Sequence, residues 1–450
     1  MSDDPAAHGA SDDDGSDNNP VDPFAAMFSG MGLGEGAGIG DLGAMLQRLG
    51  AMLQSSDDSP VPREIVMQTV DDAMRGQADP SPTADERARF ADASRLADTW
   101  LDEATAFASS GAGVDLWTRR EWIERTSDQW LALVEPLAAR AGDAFGGHGM
   151  QQIPGAPPEM AALMGGPLGQ MVQKMGAVVF AGQVGQGLAQ LSSTVLTTAD
   201  IALPLAPKAQ AALVAANVAE FADGLGISDS DVALYLTLRA QAHQRLVLHA
   251  PWLAGRFVAA VDEYARGIKV DISALEEQIQ GIDPSDPSAL NQAIESGMFA
   301  PADTPEQVAA QARIETLIAL VDGWVDDVVT QAAGRMPSAV ALRETLQRRR
   351  ATGGPAEQTF SALVGLELRP RRLREASALW QQLREKRGTQ ARDELWAHPD
   401  LLPTSDDLDD PDTFLTPSNF DISELENLAP FDESNRDSSR EDDTDGTSAN

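Results

Sequence analysis

In LRAQAHQRLVLHAPWL, Leu238 to Leu253, a histidine follows an arginine at the spacing of one helical turn. Two histidines at that spacing, with a glutamate beside the first, make the HExxH pattern, which puts two zinc ligands and a general base on one helix face. A side chain from elsewhere completes such a site and leaves one position for a water whose pKa falls to about 7. Here the three positions read Arg239, Ala240 and His243. Arginine is a permanent cation that cannot ligate a metal, and alanine accepts no proton. Of the three, only His243 keeps an atom able to touch zinc.

Little else in the chain supplies metal or nucleophile chemistry. There is no cysteine, so disulfides, thiolate nucleophiles and cysteine-based zinc sites are excluded. The histidines are His8, His148, His243, His249 and His398. His249 lies about 240° round the helix from His243 at ~100° per residue. His148 sits in a Gly/Pro-rich connection, and His398 in LWAHPDLLP is remote. No GxSxG elbow or GxxxxGK[ST] loop occurs, and GIGDLG, Gly38 to Gly43, matches a dinucleotide fingerprint only formally, with no strand before it. The adjacent carboxylates Asp326 and Asp327 point in different directions on a helix and read as solvated charges.

The elements that must position these residues are helical. Ser228 N-caps the motif helix, about 228–250, with Asp231 in place for the return bond of a capping box. Tyr235, Leu238, Ala242 and Leu246 trace its apolar stripe, and Pro251 ends or kinks it. A second long helix, about 306–333, contains LIALVDGWVDDVV. The only plausible strand is Ala211 to Val218 or part of it, an apolar run whose period does not separate strand from buried helix. The reading is therefore mainly α: a helical unit over 62–403, with one or two short strands near 200–220. Before it comes an acidic, Gly-rich arm, 1–60, carrying an amphipathic helix at 41–54. After it comes an acidic tail, 404–450, in which FDISELENLAPF is a candidate docking helix.

The motif residues carry a resemblance. From about Gly165 to Val329 the chain resembles a bacterial zincin-like family of predicted zinc-dependent metalloproteases and hydrolases. In motif-bearing members a segment of the type LLVAPNI and an LG turn lead into a helix reading LHEVTHAVQF followed by VPWL, and a later helix reads LLEGH, whose glutamate is the expected third ligand. Here Asn217, the turn at Leu225 and Gly226, His243 and the PWL at Pro251 to Leu253 match. Because PWL fixes the register, the resemblance implies that Arg239 and Ala240 replace the first ligand and the base. Asp322 takes the third-ligand position, and Trp324 replaces the histidine after it. His243 and Asp322 are the remnant metal positions. A guanidinium at the first position suggests that Arg239 pairs with Asp322 across the two helices where zinc would sit, with His243 hydrogen-bonded into the same cluster.

Three readings follow: a zincin-like fold with a degenerate centre acting as an interaction or scaffold protein, a working zinc hydrolase with a rebuilt site, or a helical structural protein unrelated to zinc. The first implies no cofactor and a protein or peptide partner; the second implies zinc. Among 450 residues the net charge is −37, with −10 in residues 1–60 and −13 in residues 404–450. Such charge opposes docking on nucleic acid or anionic membrane, both of which need clustered Lys and Arg. QRRR and LRPRRLR are interspersed with glutamate and read as a solvated face or a salt-bridge lattice with the acidic chain. With no signal peptide and no apolar run of eighteen residues, the expectation is a cytoplasmic protein. Substrate, partner and oligomeric state are not legible.

Overall fold

The computed structural model describes residues 59–145, 167–267, 304–352 and 372–416. The arm with its 41–54 helix, GIGDLG, His8, His148 and the FDISELENLAPF segment lie outside the described residues. Helices begin where capping chemistry allows. In α1 (Arg63–Ala73), Pro62 holds the N-cap position. In α2 (Ala84–Ala104), Thr83 and Glu86 close a capping box, satisfying backbone N–H groups that the first turn leaves unpaired. After β1 (Asp115–Trp117), Thr118 and Glu121 exchange the same pair of bonds at the head of α3 (Arg119–Phe145).

Residues rich in glycine and alanine form α4 (Pro167–Ser192), which lies against α1. At Gly185 a methyl group would stand 2.6 Å from the Val66 carbonyl oxygen, so glycine is required for that approach.

The strand expected within Ala211 to Val218 is β2, confined to Ala212–Val214. The rest of that run is α5 (Ala215–Ala222), where alanine's helix preference outweighs the apolar pattern. β2 pairs in parallel with β1, Leu116 opposite Leu213. Three-residue β1 went unread because so short a segment shows no alternation. Asn217 in α5 donates to the carbonyls of Ser192 and Val195 at 2.8 and 2.6 Å and accepts from Arg119 Nε at 2.7 Å. It clamps α3, α4 and α5 together. Glycines with φ of +76° and +66° at 224 and 226 then turn the chain.

The motif helix α6 (Asp229–His249) opens on Ser228, whose hydroxyl accepts from Asp231 N. The return bond does not form: the Asp231 carboxylate accepts instead from Ser338 Oγ at 2.5 Å. Every residue from Val232 to Leu246 is buried, so the one-sided stripe is a property of the sequence only. The helix is enclosed by α2 and by α8 (Pro305–Ala332), and a helix covered on all sides carries no hydrophobic periodicity. Ala250 caps α6, and α7 (Leu253–Gly267) follows the Pro251 break. α8 starts with Pro305 after a Thr304–Gln307 capping box. α9 (Ala339–Thr352) and α10 (Leu373–Glu394) complete the surround.

The packed unit runs past residue 403. α11 (Ser405–Asp409) and α12 (Pro411–Leu415) bury Leu408 and Leu415, and Arg372 holds Ser405 and Asp409. The tail boundary read from acidic composition is therefore too early, because charge outweighs two apolar anchors in any composition count. Among the described residues no helix is long and apolar enough to cross a membrane.

At Gly323, a Cβ would lie 2.8 to 2.9 Å from Ala376 and the Ser377 backbone nitrogen on α10. Gly323→Ala is expected to cost about 1–3 kcal/mol through overpacking, read as a lower urea midpoint at constant slope. Gly255→Ala in α7, where a Cβ meets nothing within 4 Å, should instead gain about 0.5–1 kcal/mol.

Candidate functional site

The residues singled out from HExxH register meet inside this helical packing. Arg239 on α6 and Asp322 on α8 are both buried, and Arg239 Nη2 donates to Asp322 Oδ1 at 2.8 Å. A second cation joins them from α9: Arg350 Nη1 donates to the same oxygen at 2.9 Å. Burial opposes charge on Arg239, but Asp322, with smaller contributions from Tyr235, Asp326 and Asp200, more than offsets this and raises its pKa. The guanidinium is a fixed charge at any accessible pH.

His243 occupies the next turn of α6 and is buried. Its expected bond into the Arg239–Asp322 cluster is not made. Nε2 has no partner among the described residues, and the ring's hydrogen bond is with the Ala202 backbone. Burial pulls its pKa down to about 4; the Ala202 bond works against this, while Arg239 and Arg350 add to it. The ring is neutral at pH 7 chiefly because it is buried, and the two guanidinium groups reinforce this. Ala240 and His243, with Gln244, Thr198 and Gln210, line a cavity of about 10 Å³, room for one water. Its roof is a loop in which Ala202, Lys208 and Ala209 all adopt positive φ, a conformation costly for residues with a Cβ.

The carboxylates read as solvated are interior. Asp326 is 1% exposed and Asp327 4%. Arg343 grips Asp326 through Nε and Nη2, and Ser377 donates to it at 2.6 Å. Burial raises the Asp326 pKa, but these two hydrogen bonds and the nearby Arg239 bring it below the usual carboxylate value. Asp327 accepts from Arg384 and from the fully buried Arg392. Trp324 is also buried and donates to Asp393 at 2.9 Å. The polar seam has a readable period: Asp322 and Asp326 at i, i+4 on α8 face Arg343, Gln347 and Arg350 at i, i+4, i+7 on α9. Arg350 of QRRR bears out the salt-bridge alternative for that run, but the run alone does not say which helix it pairs with.

Other histidines lie elsewhere. His249 stacks on Phe107 at 4.5 Å, and His398 sits exposed beside Asp400. Among the described residues no three His, Asp or Glu side chains come together to hold a metal. The residues at the motif do not fit zinc: Asp322 Oδ1 is already shared by two guanidiniums, its Oδ2 is buried without a partner among the described residues, and a cation placed there would face two fixed positive charges.

A family model of zincin-like metallopeptidases matches residues 62–415, so the chain belongs to the zincin-like metallopeptidase family. It is also similar to a crystal structure described as "a putative hydrolase with a novel fold" from Chloroflexus aurantiacus, at 19% identity and a TM-score of 0.55 over 79% of this chain and 97% of that one. That likeness concerns the fold. No curated protein matches the chain significantly. Active members of the family imply zinc; the side chains here are arranged around a different charge.

Removing the shared carboxylate leaves two buried cations without their counter-ion. Asp322→Ala should cost about 3–5 kcal/mol, measured by equilibrium urea unfolding. A second expectation concerns pH. Because the His243 pKa falls from an ordinary 6.5 to about 4 in the fold, the unfolded chain binds the extra proton between those values. The stability this residue contributes is complete above pH 6.5 and is lost as pH falls towards 4. His243→Gln should therefore flatten the stability profile by about 2–3 kcal/mol between pH 6.5 and 4; a profile parallel to wild type would refute the assignment.

Proposed function

We propose that this chain is a catalytically degenerate member of its family, a cytoplasmic interaction or scaffold protein that binds a protein or peptide partner and neither nucleic acid nor membrane. The observation that carries this reading is the Asp322 oxygen held at 2.8 and 2.9 Å by Arg239 and Arg350. A metallopeptidase needs a Lewis-acidic cation, an open coordination position and a base for the attacking water. At the corresponding positions this chain has a guanidinium, a methyl group and a neutral imidazole. The net charge of −37 favours basic protein surfaces over phosphate backbones by the same electrostatics that excludes anionic partners.

Family membership favours a second reading, an active zinc hydrolase whose site is rebuilt from other residues. The two diverge in one set of measurements. Purified full-length chain is expected to show no peptide hydrolysis that chelation abolishes or added zinc restores. Partner capture should survive His243→Ala and be lost on removal of residues 417–435, beyond the packed Leu415, or of residues 41–54, both of which lie outside the described residues. Chelator-sensitive hydrolysis that also disappears in His243→Ala would establish the enzyme reading instead.

A further inference from the structure

The packed unit ends in a strap of two short helices, α11 and α12, laid across α10. Leu408 and Leu415 are buried beneath it, and Phe414 packs half-buried against the same core. A capping box starts the strap: Thr404 Oγ1 accepts from Asp407 N, and the Asp407 carboxylate accepts from Thr404 N. Cations of α10 and its N-cap hold the chain between the anchors. Arg372 donates to the Ser405 carbonyl and hydroxyl at 2.8 Å and pairs with Asp409. Lys386 pairs with Asp412 at 3.3 Å, and Arg387 donates to the Phe414 and Leu415 carbonyls at 3.2 and 2.8 Å. Helices this short have no stability of their own, and ion pairs exposed on one side add little. The three apolar anchors therefore decide whether the strap is down or lifted.

The pattern of the strap recurs just beyond it, in residues 421–431, which lie outside the described residues. Asp421 precedes Glu424 at the capping-box spacing of Thr404 and Asp407. Leu425 stands between Glu424 and Glu426 as Leu408 stands between Asp407 and Asp409, and Asn427 follows as Asp410 does. Phe431 keeps the distance from Leu425 that Phe414 keeps from Leu408. Cap, acidic flanks and two apolar anchors thus repeat in one register. The repeat departs at the third anchor, where Leu415 is answered by Asp432, and at Thr413, answered by Pro430. Lacking one buried leucine, worth about 1.5–3 kcal/mol, the second segment is the weaker ligand, which explains why the first is resident. With the strap lifted, residues 403–420 are long enough to loop back, at a closure cost that grows slowly with length.

We propose that residues 421–431 are a second occupant of the α10 face, exchanging within the same chain with the strap 405–415. Leu425 and Phe431 enter the sites of Leu408 and Phe414, and Glu426 meets Arg372 as Asp409 does. The inference goes beyond the degenerate-centre reading and does not depend on whether the chain is catalytic. It gives part of the acidic tail a place on the chain itself, in competition with any external partner.

The test is amide hydrogen exchange of the strap in the full chain. A competitor that captures the α10 face stabilises the lifted state, so replacing its anchors, Leu425→Ala with Phe431→Ala, should slow exchange of the 405–415 amides by about threefold and leave α6 unchanged. This variant alters nothing in the packed unit, so its folding is not at issue. A second measurement uses the absence of natural cysteine. In the repeat Ala429 takes the position of Asp412, the partner of Lys386, so Lys386→Cys with Ala429→Cys should be joined within monomers by a short bismaleimide. The yield should rise when Leu408→Ala weakens the strap, and fall to that of a Lys386→Cys, Ser448→Cys control when Leu425 and Phe431 are replaced. Strap exchange unchanged in the double variant, cross-linking indifferent to Leu425 and Phe431, or cross-links formed only between chains would each overturn the proposal.

Discussion

The interior of this protein is organised around a carboxylate that two arginines share. Asp322 holds α8 to α6 through Arg239 and to α9 through Arg350, so the helices that would carry a zincin's ligands are joined by an ion network. Such a network is costly to bury, and replacing it by apolar residues of similar volume is often neutral or favourable. Its retention therefore says more about which arrangement the helices adopt than about how tightly they hold. Any change that removes one member leaves the others charged and unsolvated, which makes the cluster intolerant of piecemeal substitution.

The same logic extends along α8. Asp326 and Asp327 each meet arginines from α9 and α10, and Gly323 lets the α10 backbone approach between them. Polar groups inside a helix bundle fix register because each must find its own partner, while the apolar contacts around Trp324, Trp380 and Trp396 tolerate more rearrangement. A buried arginine–carboxylate lattice can thus hold a helical scaffold together, provided every charge in it is matched.

Much of the architecture was legible in the sequence. Ser228 and Pro251 place the ends of α6 within a residue or two, because those signals are local chemistry. The ion pair expected between Arg239 and Asp322 is present, while His243 does not join it. What escaped was tertiary. Arg350 lay in a basic run whose salt-bridge partner the run does not name, Asp326 and Asp327 looked like surface charge, and β1 was too short to show a period. The hydrogen bond of His243 to the Ala202 backbone depends on a loop with three residues in a left-handed conformation, and alanine there gives no hint of it. Pairing of unlike charges across helices has a sequence signature only when both periodicities are compared together.

In the proposed reading a guanidinium and its carboxylate fill the position a divalent ion would need. Metal analysis of the full chain as purified, followed by zinc titration in metal-free buffer, addresses it most directly. The account predicts far less than one equivalent of metal per chain and no saturable uptake at micromolar zinc. One bound zinc per chain with submicromolar affinity, lost in Asp322→Asn, would contradict it.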